Sequence, residues 1–169
     1  MTVTNLKSQI LYPYMFNFSD DIGANNQYEL WNKGNVVTTY NNNPIYKTIY
    51  DPCPVTFSNV KPAAFTGFTT TGSNSTTYSQ YNVVGSFNMG WTFYCQPNFM
   101  GSTIFFPALG YITRADRGLV DVNASCHYWS AGPYSTTNGS RPSFYTTGIY
   151  NTSSCNHSYA ISIRPASEK

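Results

Sequence analysis

The sequence predicts a single α+β domain that is mostly β. Its 169 residues fit one domain of ordinary size, large enough to bury about 70% of its unfolded surface. Long stretches of 3.6-residue apolar periodicity are missing, while short β-branched and aromatic runs alternate with Gly, Pro and Asn. Aromatic residues reach 17% and charged residues only 9%, the reverse of a disordered chain.

Taken in order, strands are expected near Gln9–Tyr14, Tyr46–Tyr50, Tyr81–Phe87, Trp91–Tyr94, Thr103–Phe106, Gly118–Val122, His127–Ser130, Ser143–Thr146 and Tyr159–Arg164. The clearest alternation is AISIRP, which sets Ile161 and Ile163 on one side and Ser162 and Arg164 on the other. Helix is confined to a turn or two at Gln27–Trp31 and Pro62–Phe68. DPCP at Asp51–Pro54 is a turn, opened by Asp and fixed by two prolines. Thr69–Ser79 reads as a surface loop. Trp31, Phe57, Trp91, Phe93, Phe105, Phe106, Tyr111, Trp129 and Phe144 lie in apolar runs and are assigned to the core. Tyr134, Tyr145 and Tyr159 stand among small polar residues and are assigned to the surface.

A formal net charge of +2 with no Lys/Arg-rich run gives no electrostatic case for nucleic acid. The opening MTVTNLKSQILYPYMF has neither a basic n-region nor a long apolar h-region, so no signal peptide is expected, and no apolar run is long enough for membrane insertion. Solubility rests on Asn, Ser and Thr, which suits an extracellular, cell-surface or virion-surface location. Asn-x-Ser/Thr sequons occur at Asn17, Asn74, Asn123, Asn138, Asn151 and Asn156, as any chain this rich in those residues would show. Cys53, Cys95, Cys126 and Cys155 form no CxxC, and His127 and His157 make no zinc spacing with them.

The order of several motifs is specific. KTIYDPCP (Lys47–Pro54) is followed by AFTGFTT (Ala64–Thr70), GWTFYCQPNFMGSTIFFPALGYI (Gly90–Ile112), YWSAGPY (Tyr128–Tyr134) and ISIRP (Ile161–Pro165). From about Gln9 to the end this series resembles the FISUMP-type domains of surface and fimbrial proteins of anaerobic gut bacteria and of their phages' receptor-binding proteins. The resemblance implies a C-type lectin fold over 1–169. It departs after DPCP, where the family's Gly-aromatic element is replaced by VTFSNVKP.

Some members of this fold are variable proteins of diversity-generating retroelements, in which adenines of Asn codons are randomised on copying. Such codons never yield Lys, Glu, Gln, Met or Trp. From Gly101 to Ser167 the chain has none of these except Trp129 within YWSAGP, although Lys and Glu are common in proteins and both occur earlier. Under this reading Cys126 and Cys155 are products of randomisation; the alternative is a disulfide, the usual state of extracellular cysteines.

Asn123–Tyr159 also has the Tyr-, Ser- and Asn-rich composition of antibody contact loops, in which Tyr supplies area with few rotors and Ser and Asn supply adaptable hydrogen bonds. The expected function is therefore a receptor-binding or adhesive domain with a variable region at about 117–160. Its candidate ligand contacts are Ser125, Cys126, His127, Tyr134, Ser140, Arg141, Ser143, Tyr145, Thr147, Ile149, Ser153, Ser154, Cys155, His157 and Tyr159. The expected partner is a surface protein or glycan of a host or neighbouring cell, with a homotrimer if the parent is a phage fibre. A structural pilus-tip or fibre-tip domain making subunit contacts is the alternative.

No cofactor, metal or catalysis is expected. Gln96-Pro97-Asn98 approaches a lectin calcium motif, but no WND follows and carboxylates are scarce for an ion that takes six to eight oxygens. The reactive framework of a formylglycine-generating enzyme and a GxSxG elbow are likewise missing from the sequence.

Overall fold

The computed structural model describes residues 31–33, 36–37, 40–48, 51–113, 118–135, 138–157 and 159–167. The expected strand at Gln9–Tyr14 and most of the expected turn at Gln27–Trp31 lie outside them. The architecture is mostly β, and helix among the described residues consists of two 3-10 segments, Pro62–Phe68 and Tyr78–Gln80.

The organising element is a four-stranded sheet in the order β10-β7-β8-β9, built from β7 (Ser125–Trp129), β8 (Asn138–Tyr145), β9 (Gly148–Asn156) and β10 (Ser162–Ile163). β8 pairs antiparallel with both neighbours, and β10 runs parallel to β7. A three-stranded antiparallel sheet follows the order β2-β3-β4, from β2 (Val83–Val84), β3 (Gly90–Gln96) and β4 (Met100–Pro107). Two short antiparallel pairs complete the frame: β1 (Phe57–Asn59) with β11 (Pro165–Ser167), and β5 (Tyr111–Ile112) with β6 (Leu119–Val120).

The core lies where these sheets and the first 3-10 helix meet. Phe65 and Phe68 from the helix, Trp91 and Phe93 from β3, Phe106 from β4, Cys126 and Tyr128 from β7, Phe144 from β8 and Ile149 from β9 form one buried cluster. Phe68 is its hub, stacked on Phe93 at 4.1 Å and edge-on to Phe106 and Phe144 at 5.1 and 5.4 Å. Rings at these spacings add attraction beyond the area they remove from water. The Trp91 indole donates to the Tyr145 carbonyl at 2.8 Å, and the Tyr128 hydroxyl to the Pro107 carbonyl at 2.8 Å, so polar groups of the core rings lock the two sheets together.

Buried amides stitch the loops to this core. Asn82, 0% exposed, donates to the carbonyls of Gly67, Tyr94 and Gln96 and accepts from the Phe99 N–H. Phe99 follows Asn98 through the β3–β4 turn with both residues at positive φ, so that last bond holds a conformation side chains resist. The DPCP turn forms as expected: Asp51 accepts from the N–H groups of Cys53 and Asn59. Lys47 ties it down by donating to the carbonyls of Cys53, Pro54 and Phe57.

Several expectations are corrected. Tyr46–Tyr50 forms no strand among its described residues, only a bridge from Lys47 to Asn32, and Tyr81–Phe87 reduces to Val83–Val84. Phe57 and Phe105 are surface residues, 40% and 45% exposed. Phe105 is turned outward beside Gly90, whose φ of +149° and lack of a Cβ leave room for that ring and for the Phe106 carbonyl. β9, the longest strand among the described residues, has no counterpart in the strands the sequence predicts. Cys126 and Cys155 are both free thiols, so a disulfide between them is not formed. No helix among the described residues is long and apolar enough to cross a membrane.

Candidate functional site: the second face of the β7–β9 sheet

Strand alternation divides the β7–β8–β9 sheet into two unlike faces. One face carries Cys126, Tyr128, Phe144 and Ile149 into the core. The other is polar and aromatic: His127 sits opposite Ser143, Ser143 opposite Tyr150, Arg141 opposite Ser153, and Gly139 opposite Cys155. A bulge between Arg141 and Ser143 lets two residues of β9, Asn151 and Thr152, oppose the single Pro142 of β8, which brings both indoors and resets the alternation so that Ser153 rejoins this face.

The second face is covered by tyrosines from outside the sheet. Tyr111 of β5 stacks on Tyr159 at 5.7 Å with an interplanar angle of 13°. Its edge meets the His127 ring at 4.8 Å, and the guanidinium carbon of Arg141 lies 5.7 Å from its centroid. On the other flank His127 contacts Tyr145 at 5.5 Å, and Tyr145 contacts Tyr150 at 5.9 Å. The four tyrosines and Arg141 are half-buried over a floor of the fully buried His127 and Ser143. Nearby, Trp129 crosses Gly139 so closely that a Cβ there would lie 2.5 Å from its Cζ3, with His157 also adjoining.

The electrostatics of this face are simple. Burial holds the imidazole of His127 far below the usual histidine range, to about 3, with the charge of Arg141 adding to the effect. Burial also lowers His157 and raises the hydroxyls of Tyr111 and Tyr145, assisted at both tyrosines by Asp121 and opposed by Arg141. The Cys155 thiol is pushed up to about 11 by burial and the Cys126 thiol to about 12. At neutral pH the face therefore holds neutral histidine, thiol and phenol groups around one fixed cation, Arg141. Neutral thiols and a histidine that resists protonation are poor nucleophiles and proton carriers. No cluster of His, Cys, Asp or Glu able to hold a metal occurs among the described residues.

The candidate contacts divide accordingly. Arg141, Tyr145, Ser153 and Tyr159 come together on the half-exposed face, with His157 beside Trp129 at its margin. Ser125, Cys126, Ser140, Ser143, Ile149 and Cys155 are buried and are corrected as direct surface contacts, and His127, 1% exposed, lies beneath the tyrosine rings rather than on the open surface. Cys126 and Ile149 belong to the core; Ser140 bonds Thr152 at 3.0 Å; Ser143 bonds His127 Nδ1 at 3.1 Å. Tyr134, Thr147 and Ser154 are exposed, in turns or on β9, and share none of the ring contacts of the face. Tyr111 and Tyr150 belong to the site but were not among the candidates. Tyr111 was assigned to the core from its FPALGYI run; Tyr150 follows Ile149 by one residue, and strand alternation would have turned it outward.

Compared with known proteins, the chain matches no family model, no curated protein and no solved structure.

A second surface feature lies elsewhere. A cleft of about 570 Å³ opens between the 86–92 segment, the end of β4 and the β6 region, lined in part by Met89, Phe105, Leu109, Leu119 and Val122. Those five side chains are 45–61% exposed.

Proposed function

We propose that this is a receptor-binding or adhesive domain of C-type lectin fold, whose contact surface is the second face of the β7–β9 sheet. The observation that carries the reading is the join of Tyr111, Tyr145, Tyr150, Tyr159 and Arg141 on one half-exposed face, backed by a sheet whose opposite side carries Cys126, Tyr128, Phe144 and Ile149 into the core. Tyrosine and arginine dominate binding hot spots because each brings large contact area and directional polar groups at small entropic cost. A rigid frame behind them keeps that cost small. The ligand is a surface protein or glycan of a host or neighbouring cell, and it is bound without chemical change.

The lack of Lys, Glu, Gln and Met from Gly101 to Ser167 supports diversification of this surface by a retroelement, with the domain displayed on a cell or virion. The relevant variable positions are then those of the second face: Arg141, Tyr145, Tyr150, Ser153 and Tyr159. Deep sequencing of the last third of the gene in a clonal culture tests this. Substitutions concentrated at those positions, sparing Phe144, Ile149 and Trp129, support it. An invariant region removes the diversification and leaves an adhesive domain with a fixed surface.

The alternative, a pilus-tip or fibre-tip domain making subunit contacts, draws support from the apolar cleft, because exposed apolar patches of that kind mark interfaces. It predicts a concentration-dependent oligomer that Leu119→Ser dissociates.

A further inference from the structure

Arg141 and His127 share an unusual condition. Nε and Nη1 of Arg141 and Nε2 of His127 are buried and have no hydrogen-bond partner. His127 is 1% exposed. Burying a guanidinium N–H or an imidazole nitrogen without a partner forfeits its hydration for nothing in return, so folded chains rarely leave such groups together. Here both groups meet one ring, that of Tyr111: the imidazole at 4.8 Å and the guanidinium carbon at 5.7 Å.

Both are also held in place. Ser143 fixes the far side of the imidazole, its Oγ lying 3.1 Å from Nδ1. We assign the serine hydroxyl as the donor to Nδ1, which puts the neutral ring's proton on Nε2 and makes that nitrogen a donor. Arg141 is anchored in β8 opposite Ser153, beside the bulge. The result is a set of orphaned donors, one of them permanently charged, with aromatic walls.

We propose that Arg141 and His127 form a receptor for a ligand carboxylate, entered from the side of Tyr111 and Tyr159. A carboxylate is planar, accepts through two oxygens, and matches the fork of a guanidinium. His127 Nε2 supplies a further neutral donor. Tyr111 covers the pair, with Tyr159 stacked on it, and these two rings shift to admit the ligand. Among the described residues Arg141 is the fixed cation of the face, and it favours an anionic group. The proposal rests on the reading of this face as the contact surface and names the ligand chemistry it selects. An acidic side chain of a protein and an acidic sugar both offer that group.

The test is side-chain NMR of the labelled domain, following the Arg141 Nε–Hε and His127 Cε1–Hε1 signals. The titrants are N-acetylglutamate N-methylamide and the methyl glycoside of glucuronic acid, each beside its neutral analogue, the glutamine derivative and methyl glucoside. The expected result is a saturable shift of both signals with at least one acid and none with the neutral analogues. Arg141→Gln should weaken the binding by more than about tenfold, the scale of one charge-assisted contact. A stronger response to the glutamate compound assigns an acidic peptide; a stronger response to the glucuronide assigns an acidic sugar; equal responses mean the carboxylate alone is read.

Unmoved Arg141 and His127 signals, or the same shifts with the neutral analogues, overturn the proposal. So does undiminished binding by the glutamine variant. The wild-type signals decide the matter even if that variant does not fold. If the acids fail while Tyr159→Ala still abolishes cell binding, the carboxylate receptor falls and the contact surface stands; if both fail, the surface falls too.

Discussion

Acid should weaken this domain through His127, and the size of the effect follows from its burial. The imidazole is 1% exposed, enclosed by Tyr111 and Tyr145, and held near a pKa of about 3 by burial and by Arg141. In the unfolded chain it titrates near 6.5. The folded pKa is the lower of the two, so between these values the unfolded state binds the extra proton. The stability is fully present above about pH 6.5 and is lost progressively as pH falls toward 3. At roughly 1.4 kcal/mol per unit, lowering the pH from neutrality to 5 costs about 2 kcal/mol through this residue alone. Urea unfolding at pH 7.5 and pH 5, in the parent and in His127→Asn, isolates it. Asn keeps a polar partner for Ser143 and cannot take up the proton. The parent should lose about 2 kcal/mol more than the variant over that interval. Parallel losses would mean that His127 titrates as a solvated group and that the tyrosine cover over it is not closed.

Other consequences are independent of that titration. Arg141→Gln should make the acid loss level off at a higher pH than in the parent, read by unfolding between pH 5 and pH 3, because it removes the smaller of the two causes holding the His127 pKa down; an unchanged profile in that range would place the guanidinium away from the ring. Phe144→Ala, at a fully buried site touching Phe68, Phe93 and Phe106, should cost about 3–5 kcal/mol, whereas Tyr134→Ala should stay within about 0.5 kcal/mol by the same unfolding measurement. Lys47→Met strips the donor from the Cys53, Pro54 and Phe57 carbonyls and should cost about 2 kcal/mol in thermal unfolding. Exposed Cys95 should react with a thiol reagent in the native state, while Cys126 and Cys155, buried and with thiols pushed up to about 12 and about 11, should react only on unfolding.

The sequence shows much of the frame and mixes the two faces of the central sheet. β3 and β4 announce themselves through aromatic and β-branched runs, and the 3-10 helix at Pro62–Phe68 through a proline at its start. β9 does not, because GIYNTSSCN has turn composition and the bulge beside Arg141 breaks its alternation. Its polar residues lie indoors through specific partners: Asn151 donates to the Thr66 and Ser73 carbonyls and to the Thr69 hydroxyl, and Thr152 meets Ser140. Small hydroxyl groups that pair across strands are buried at little cost, so a serine-rich strand can look exposed in sequence and be closed in space. For the same reason Ser140 and Ser143 read as surface residues in the sequence, while Tyr145 and Tyr159, with larger polar rings, remain half-open.

The most direct test of the contact surface is binding of the fluorescent domain to intact neighbouring bacterial cells and host epithelial cells, by flow cytometry. The parent should bind at least one of them. Tyr150→Ala and Tyr159→Ala should each lower the affinity by roughly thirtyfold, as loss of a hot-spot tyrosine does, while Leu119→Ser on the apolar cleft leaves it unchanged. Undiminished binding by both tyrosine variants, with binding lost in Leu119→Ser, would contradict the account and move the function to the cleft.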